Sequence, residues 1–93
     1  MANNLFVSYD LVAPGQHYQR IIDSIKTLGS WAKVEKSLWY VNSQLSAEAA
    51  AKKVRASMDD NDVLIVIDVS SNDAYWYNVD PVVAKHMQEQ WKL

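Results

Sequence analysis

The run Val63-Leu-Ile-Val-Ile-Asp-Val69 constrains the fold most, because alternate residues of a strand point to opposite faces and here both faces are apolar. Leu64 and Val66 fall on one side and Val63, Ile65 and Ile67 on the other, so a sheet holding this strand needs cover on both sides. A second strand, Leu5-Phe-Val-Ser-Tyr9, has the same character: Phe6 opposes Leu5 and Val7, and Asp10 ends it before the turn-forming Pro14-Gly15. A chain of 93 residues hides only about 60 to 65% of the surface its unfolded form exposes. Cover for the second face is expected from a terminal helix folding back or, in preference, from a second subunit packed sheet to sheet.

The rest of the pattern supplies the other elements. From Gln16 to Leu28 the apolar residues Tyr18, Ile21, Ile22, Ile25 and Leu28 recur at helical spacing, with Gly29 where a C-terminal cap belongs. Trp31 to Glu35 and Leu38 to Val41 are β-prone runs joined by Lys36-Ser37, which reads as a tight hairpin. Ser46 caps a second helix, ending near Asp59, whose inner face is Ala47, Ala50, Ala51, Val54 and Met58. Ser70 to Asn78 shows no clear period, and Asp80-Pro81 opens a terminal helix reaching about Trp91 with the stripe Val83, Met87, Trp91. Strand, helix, strand, strand, helix, strand, with an added helix, predicts an α+β, ferredoxin-like βαββαβ sandwich in the sheet order 4-1-3-2. One domain is expected over 1–93, with its core at about 4–69 and the helix at about 80–91.

Nine Lys plus Arg against eleven Asp plus Glu leave a net charge of −2, too small an excess to mark a broadly basic nucleic-acid surface. The absence of Cys excludes disulfides, thiolate zinc sites and thiol nucleophiles. The opening Met1-Ala-Asn-Asn carries no basic-then-apolar leader and the longest apolar run, Val63 to Ile67, is far too short for a membrane span. The expectation is a soluble, cytoplasmic protein without a membrane partner.

Asp10, at the end of the first strand, suits either a divalent cation or a turn whose backbone N–H groups its carboxylate accepts. Two such carboxylates across a dimer axis would hold Mg²⁺ or Mn²⁺ better than one. Ser37 is expected at the same end of the sheet, as a phosphate or water ligand or as a plain turn hydroxyl. His17 and His86 are too far apart in the chain to form a metal pair at helical spacing; His17 is a general-base candidate or an exposed first-turn residue, and His86 packs or faces solvent. The basic groupings are Lys33 and Lys36 at the hairpin and Lys52, Lys53 and Arg55 on the second helix, and a nucleic-acid contact would have to use them. The helix charges also read as a solvated face, with Glu48 four residues before Lys52 and Arg55 four before Asp59. Lys36-Ser-Leu-Trp-Tyr-Val41 has no Gly and sends its aromatics to opposite faces, unlike the base-stacking strand of an RNA-recognition motif.

Val7-Ser-Tyr-Asp10, a helix closing at Leu28-Gly29 and Val34-Glu-Lys-Ser-Leu-Trp39 together resemble the small CRISPR-associated Cas-two nucleases and the VapD-like toxins. Tyr9-Asp10-Leu11, Pro14-Gly15-Gln16-His17-Tyr18, Ser37-Leu38-Trp39 and Asp62-Val63-Leu64-Ile65-Val66-Ile67 are most similar to the small bacterial and phage proteins called the SinR family. The resemblance spans roughly residues 4 to 69 and implies a ferredoxin-like homodimer. In active nucleases of that kind it implies metal-dependent phosphodiester hydrolysis, with Asp10 as the metal ligand and Ser37 beside the phosphate. The chain departs from the pattern in two places: no basic residue lies in Pro14 to Gln19, Arg20 being the nearest, and a helix stands where the family has a terminal strand crossing to the partner. Two functions are therefore expected, a non-catalytic dimeric binding module for a protein or nucleic-acid partner and a metal-dependent endonuclease. A small-ligand regulatory domain is a third reading.

Overall fold

Period-two burial is strict along the first strand, β1 (Asn3–Asp10): Leu5, Val7 and Tyr9 are buried, while Phe6 and Ser8 between them are only half so. The computed structural model describes residues 2–11 and 18–92, and the expected Pro14-Gly15 turn and His17 lie outside them. Helix α1 runs over Tyr18–Lys26 with Ile21 and Ile25 buried, and the hairpin follows as β2 (Gly29–Glu35) and β3 (Leu38–Ser43). Helix α2 (Ala47–Arg55) begins on Ser46, whose hydroxyl accepts the Ala49 N–H at 3.1 Å, and buries Ala47, Ala50, Ala51 and Val54. Then come β4 (Val63–Asp68), β5 (Asp73–Tyr77) and α3 (Pro81–Gln90), the last capped by Asp80 through the N–H groups of Val82 and Val83.

The chain is an α+β protein with one five-stranded antiparallel sheet in the order β2-β3-β1-β4-β5 and three helices. The expected 4-1-3-2 run is present as β4-β1-β3-β2, but β5 adds an edge strand outside β4, so both the strand count and the sheet order differ from a four-stranded βαββαβ sandwich. The hairpin that adds it is built by local chemistry. The buried Asp68 carboxylate accepts the N–H groups of Ser70 and Ser71 at 2.9 and 3.2 Å, and Asn72 takes a left-handed φ of 51°, which Asn tolerates better than most residues.

Gly29 is the other correction. It opens β2 rather than capping α1, which ends three residues earlier. A Cβ there would overlap the Asn42 backbone carbonyl oxygen across the β2–β3 ladder, so the position admits only glycine without a backbone shift.

Helices α1 and α2 cover one face of the sheet, where Leu5, Val7, Val41, Val54, Leu64 and Val66 are fully buried. The opposite face is open. Phe6, Leu38, Tyr40, Ile65, Ile67 and Trp76 share it by register and remain only half-buried. Helix α3 lies at the β5 edge of this face, where its Gln88 and the following Trp91 share a cleft with Ala74 and Trp76. It has no buried residue, and its carboxyl end is held beside β5 by the Trp91 indole N–H donating to the Asn72 carbonyl at 3.2 Å. Val82 and Val83 on α3 stay exposed. Among the described residues no helix is long and apolar enough to cross a membrane.

Candidate functional site

Antiparallel pairing of β1 with β3 brings the end of one strand to the start of the other, and the Tyr9 N–H donates to the Ser37 carbonyl at 3.2 Å. That bond puts Ser37 at the Asp10 end of the sheet, as the strand order predicts. Tyr9, Asp10, Leu11, Tyr18, Ile22, Lys33, Lys36 and Ser37 then line one cleft of about 620 Å³, within the size range of small-ligand sites. Asp10 is exposed at its rim, and its register places it on the same face as Phe6 and Ser8, so the cleft meets the open face at this carboxylate.

The floor is aromatic. The Tyr9 hydroxyl donates to the Lys36 carbonyl at 3.0 Å, tying β1 to the hairpin turn, and the Tyr18 ring leans against Tyr9 with centroids 6.2 Å apart. Tyr18, expected on the buried face of the first helix, is 54% exposed because it stands at the first turn of α1, beyond the edge of the core. Beneath lies Trp39, whose buried indole N–H has no hydrogen-bond partner of acceptable geometry among the described residues. Burial pushes the Tyr9 phenol above its ordinary pKa of 10.0, and the neighbouring Trp39 indole pulls the other way without cancelling it. A raised value means that the fold favours the neutral phenol, so this contribution to stability is full below the ordinary tyrosine pKa. It is lost as pH climbs through the folded-state value. Urea unfolding between about pH 9 and about pH 11 is expected to show a steeper loss of stability in the parent chain than in Tyr9→Phe. Equal slopes would mean that this phenol ionises as freely in the fold as outside it.

The five basic candidates divide into two groups on opposite edges of the sheet. Lys33 and Lys36 belong to the cleft and have no salt-bridge partner among the described residues. Lys33 Nζ lies 5.9 Å from the centre of the Trp39 ring. On α2, which packs against β4 and β5, Lys52 and Arg55 are engaged by their neighbours. Lys52 pairs with Glu48 at 2.6 Å, an ion pair that holds its ammonium above the usual lysine pKa. Arg55 donates to the Asp60 carbonyl at 3.0 Å and lies 4.6 Å from the Tyr77 ring. Lys53 is exposed on the same helix, and Arg20 donates to the Ser57 carbonyl at 3.3 Å. The five basic candidates therefore do not form one surface. His86 is exposed on α3, away from the cleft lining.

Among the described residues Asp10 is the only carboxylate lining the cleft, and no three His, Asp or Glu side chains gather as a metal-binding group. The donor set of one protomer is thus a carboxylate, a hydroxyl and backbone carbonyls beside two ammonium groups, which is a poor match for Mg²⁺ or Mn²⁺. A second carboxylate would have to come from a second copy. Another cleft, of about 280 Å³ between β5 and α3, is lined by Asp73, Ala74, Trp76, Gln88 and Trp91 and is mainly apolar.

Tyr9 and Tyr18 are the polar cleft residues to which sequence reasoning gave no site role. Their signal was the Tyr9-Asp10 step and a helix-opening tyrosine, both of which read equally well as core. Comparison with protein-family models, with curated proteins and with solved structures finds no match for this chain.

Proposed function

We propose that this chain is a ferredoxin-like, non-catalytic binding module that works as a homodimer and holds a nucleic-acid partner in the Asp10–Ser37 cleft. One observation carries the reading: Lys33 and Lys36, without salt-bridge partners among the described residues, share a cleft with the Ser37 hydroxyl and an exposed tyrosine. Unpaired ammonium groups beside a hydroxyl suit phosphate oxygens, and local positive charge serves a polyanion even on a chain of net charge −2. The homodimer is supported by the open face, whose half-buried Phe6, Tyr40, Ile65 and Trp76 are the kind of surface a two-fold axis can pair with itself.

A second reading, from the resemblance to Cas-two nucleases, is a metal-dependent endonuclease using Asp10 at the dimer axis. It is favoured by the position of Asp10 on the register of the open face, where a two-fold axis passing beside that end of β1 would bring both carboxylates together. In that assembly Mg²⁺ or Mn²⁺ would supply Lewis-acid chemistry at the scissile phosphate.

The purified chain is to be incubated with single-stranded RNA and with duplex DNA in Mg²⁺ or Mn²⁺, beside an Asp10→Ala variant whose circular dichroism matches the parent. The binding module retains nucleic acid and leaves it intact in both proteins. Cleavage by the parent and not by Asp10→Ala would make the chain a metal nuclease.

A further inference from the structure

The cleft contains a feature that a purely electrostatic phosphate site does not need. Tyr18 stands 54% exposed at the opening turn of α1, and its tilt against the buried Tyr9 fixes the ring from one side. An aromatic so exposed gains little from the core, yet its orientation is set by a neighbour whose hydroxyl is itself tied to the Lys36 carbonyl. The same linkage that orients the ring therefore anchors the turn bearing Lys36 and Ser37. A flat ring, two unpaired ammonium groups and a hydroxyl thus surround one space of about 620 Å³.

We infer that the cleft takes one nucleotide of a single-stranded nucleic acid, its base stacked on Tyr18 and its phosphate between Lys33 and Lys36. This rests on the nucleic-acid reading above and goes beyond it by naming the strand state. A duplex keeps its bases stacked inside and presents only edges and phosphates, so it has no π-face for Tyr18 to meet. A single strand presents one at every residue. The cleft suits a nucleotide and is too small for a double helix. Because every base has such a face, the site is tolerant of sequence.

The test is equilibrium binding of a fluorescein-labelled single-stranded oligonucleotide, its blunt duplex and inorganic tripolyphosphate to the parent, Tyr18→Phe and Tyr18→Leu, with thermal melting to confirm that each variant is folded. The single strand is expected to bind at least about tenfold more tightly than the duplex. Tyr18→Leu is expected to weaken single-strand binding by roughly 5- to 150-fold, the span of one base–aromatic stack, with tripolyphosphate binding unchanged and Tyr18→Phe close to the parent. Equal affinity for the single strand and the duplex, or a Tyr18→Leu variant that binds the single strand as the parent does, would overturn the stacking assignment and leave the phosphate site standing. Equal losses in Tyr18→Phe and Tyr18→Leu would also overturn it, since stacking needs the ring and not the hydroxyl. Failure of the parent to bind oligonucleotide or tripolyphosphate would remove the nucleic-acid reading itself, and this inference with it.

Discussion

Phe6→Glu is expected to turn a dimer into a monomer while leaving the protomer folded. In solution the parent should have twice the 10.6 kDa chain mass, and the variant should run at 10.6 kDa. Phe6 lies at the centre of the open face, against Tyr40 with ring centroids 5.5 Å apart and opposite Ile67 across the β1–β4 ladder. Glutamate there leaves the helix-covered core untouched, because Phe6 points away from Leu5 and Val7. In a two-fold interface the substitution appears twice. Two unpaired carboxylates, each costing several kcal/mol to bury, should raise the dissociation constant by roughly 1000-fold or more. Sedimentation across a concentration series measures this. A parent that sediments as a monomer at all concentrations would remove the dimer, and with it the shared Asp10 site of the nuclease reading.

Leu64→Ala has the second large effect, and it falls on the protomer. Leu64 is fully buried in β4, opposite Tyr9 on one neighbouring strand and Tyr77 on the other. Strands on both sides limit how far the site can collapse, so the expected loss is about 3 to 5 kcal/mol, toward the upper end for a buried leucine. The total stability of a domain this size is on the order of 5 to 14 kcal/mol, so this one change removes a large part of it. Val82→Ala, at a residue 78% exposed on α3, should stay within about 0.5 kcal/mol. Urea unfolding measures both, and a Leu64→Ala loss below about 1 kcal/mol would contradict the central position of β4.

Much of this architecture was legible wherever periodicity and burial coincide. The alternation in Leu5 to Tyr9 and Val63 to Ile67 appears directly as the two-sided strands β1 and β4. Ser46 and Asp80 cap the helices they were read to cap, because a short acceptor side chain before an apolar stripe has few other uses. β5 escaped because Asp73-Ala-Tyr-Trp-Tyr77 is a short aromatic run inside the polar stretch Ser70 to Asn78, which shows no clear period; in the fold Tyr75 and Tyr77 pack toward the core while Ala74 and Trp76 face the open side. Its β-propensity was a usable signal, and its turn was hidden in Asp68 and Asn72, which act through backbone hydrogen bonds and a left-handed φ rather than through a Gly or Pro marker. Gly29 was misread because a glycine after a helical stripe commonly marks a cap, whereas the close approach of the Asn42 carbonyl is a property of the folded ladder.

The site divides along the same line. Asp10, Ser37, Lys33 and Lys36 come together because a hairpin beside an antiparallel strand leaves its turn at that strand's far end, which follows from strand order alone. The separation of Lys52, Lys53 and Arg55 from them depends on which strands α2 covers, a tertiary fact with no local trace. Tyr18 fell on the right helical stripe for burial yet lies one turn beyond the core, so its exposure depends on where α1 begins.

The central claim is that the Lys33–Lys36 cleft binds nucleic acid, and the most direct measurement is single-strand affinity over a range of salt for the parent and for Lys33→Gln/Lys36→Gln. In the parent, affinity should fall linearly on logarithmic axes as salt rises. Removing two phosphate contacts should weaken binding by about tenfold or more at low salt and flatten the salt slope by about 1.4, at about 0.7 for each contact on a single strand. A double variant with the parent's affinity and slope would contradict the account, because no phosphate would then be held by these two lysines.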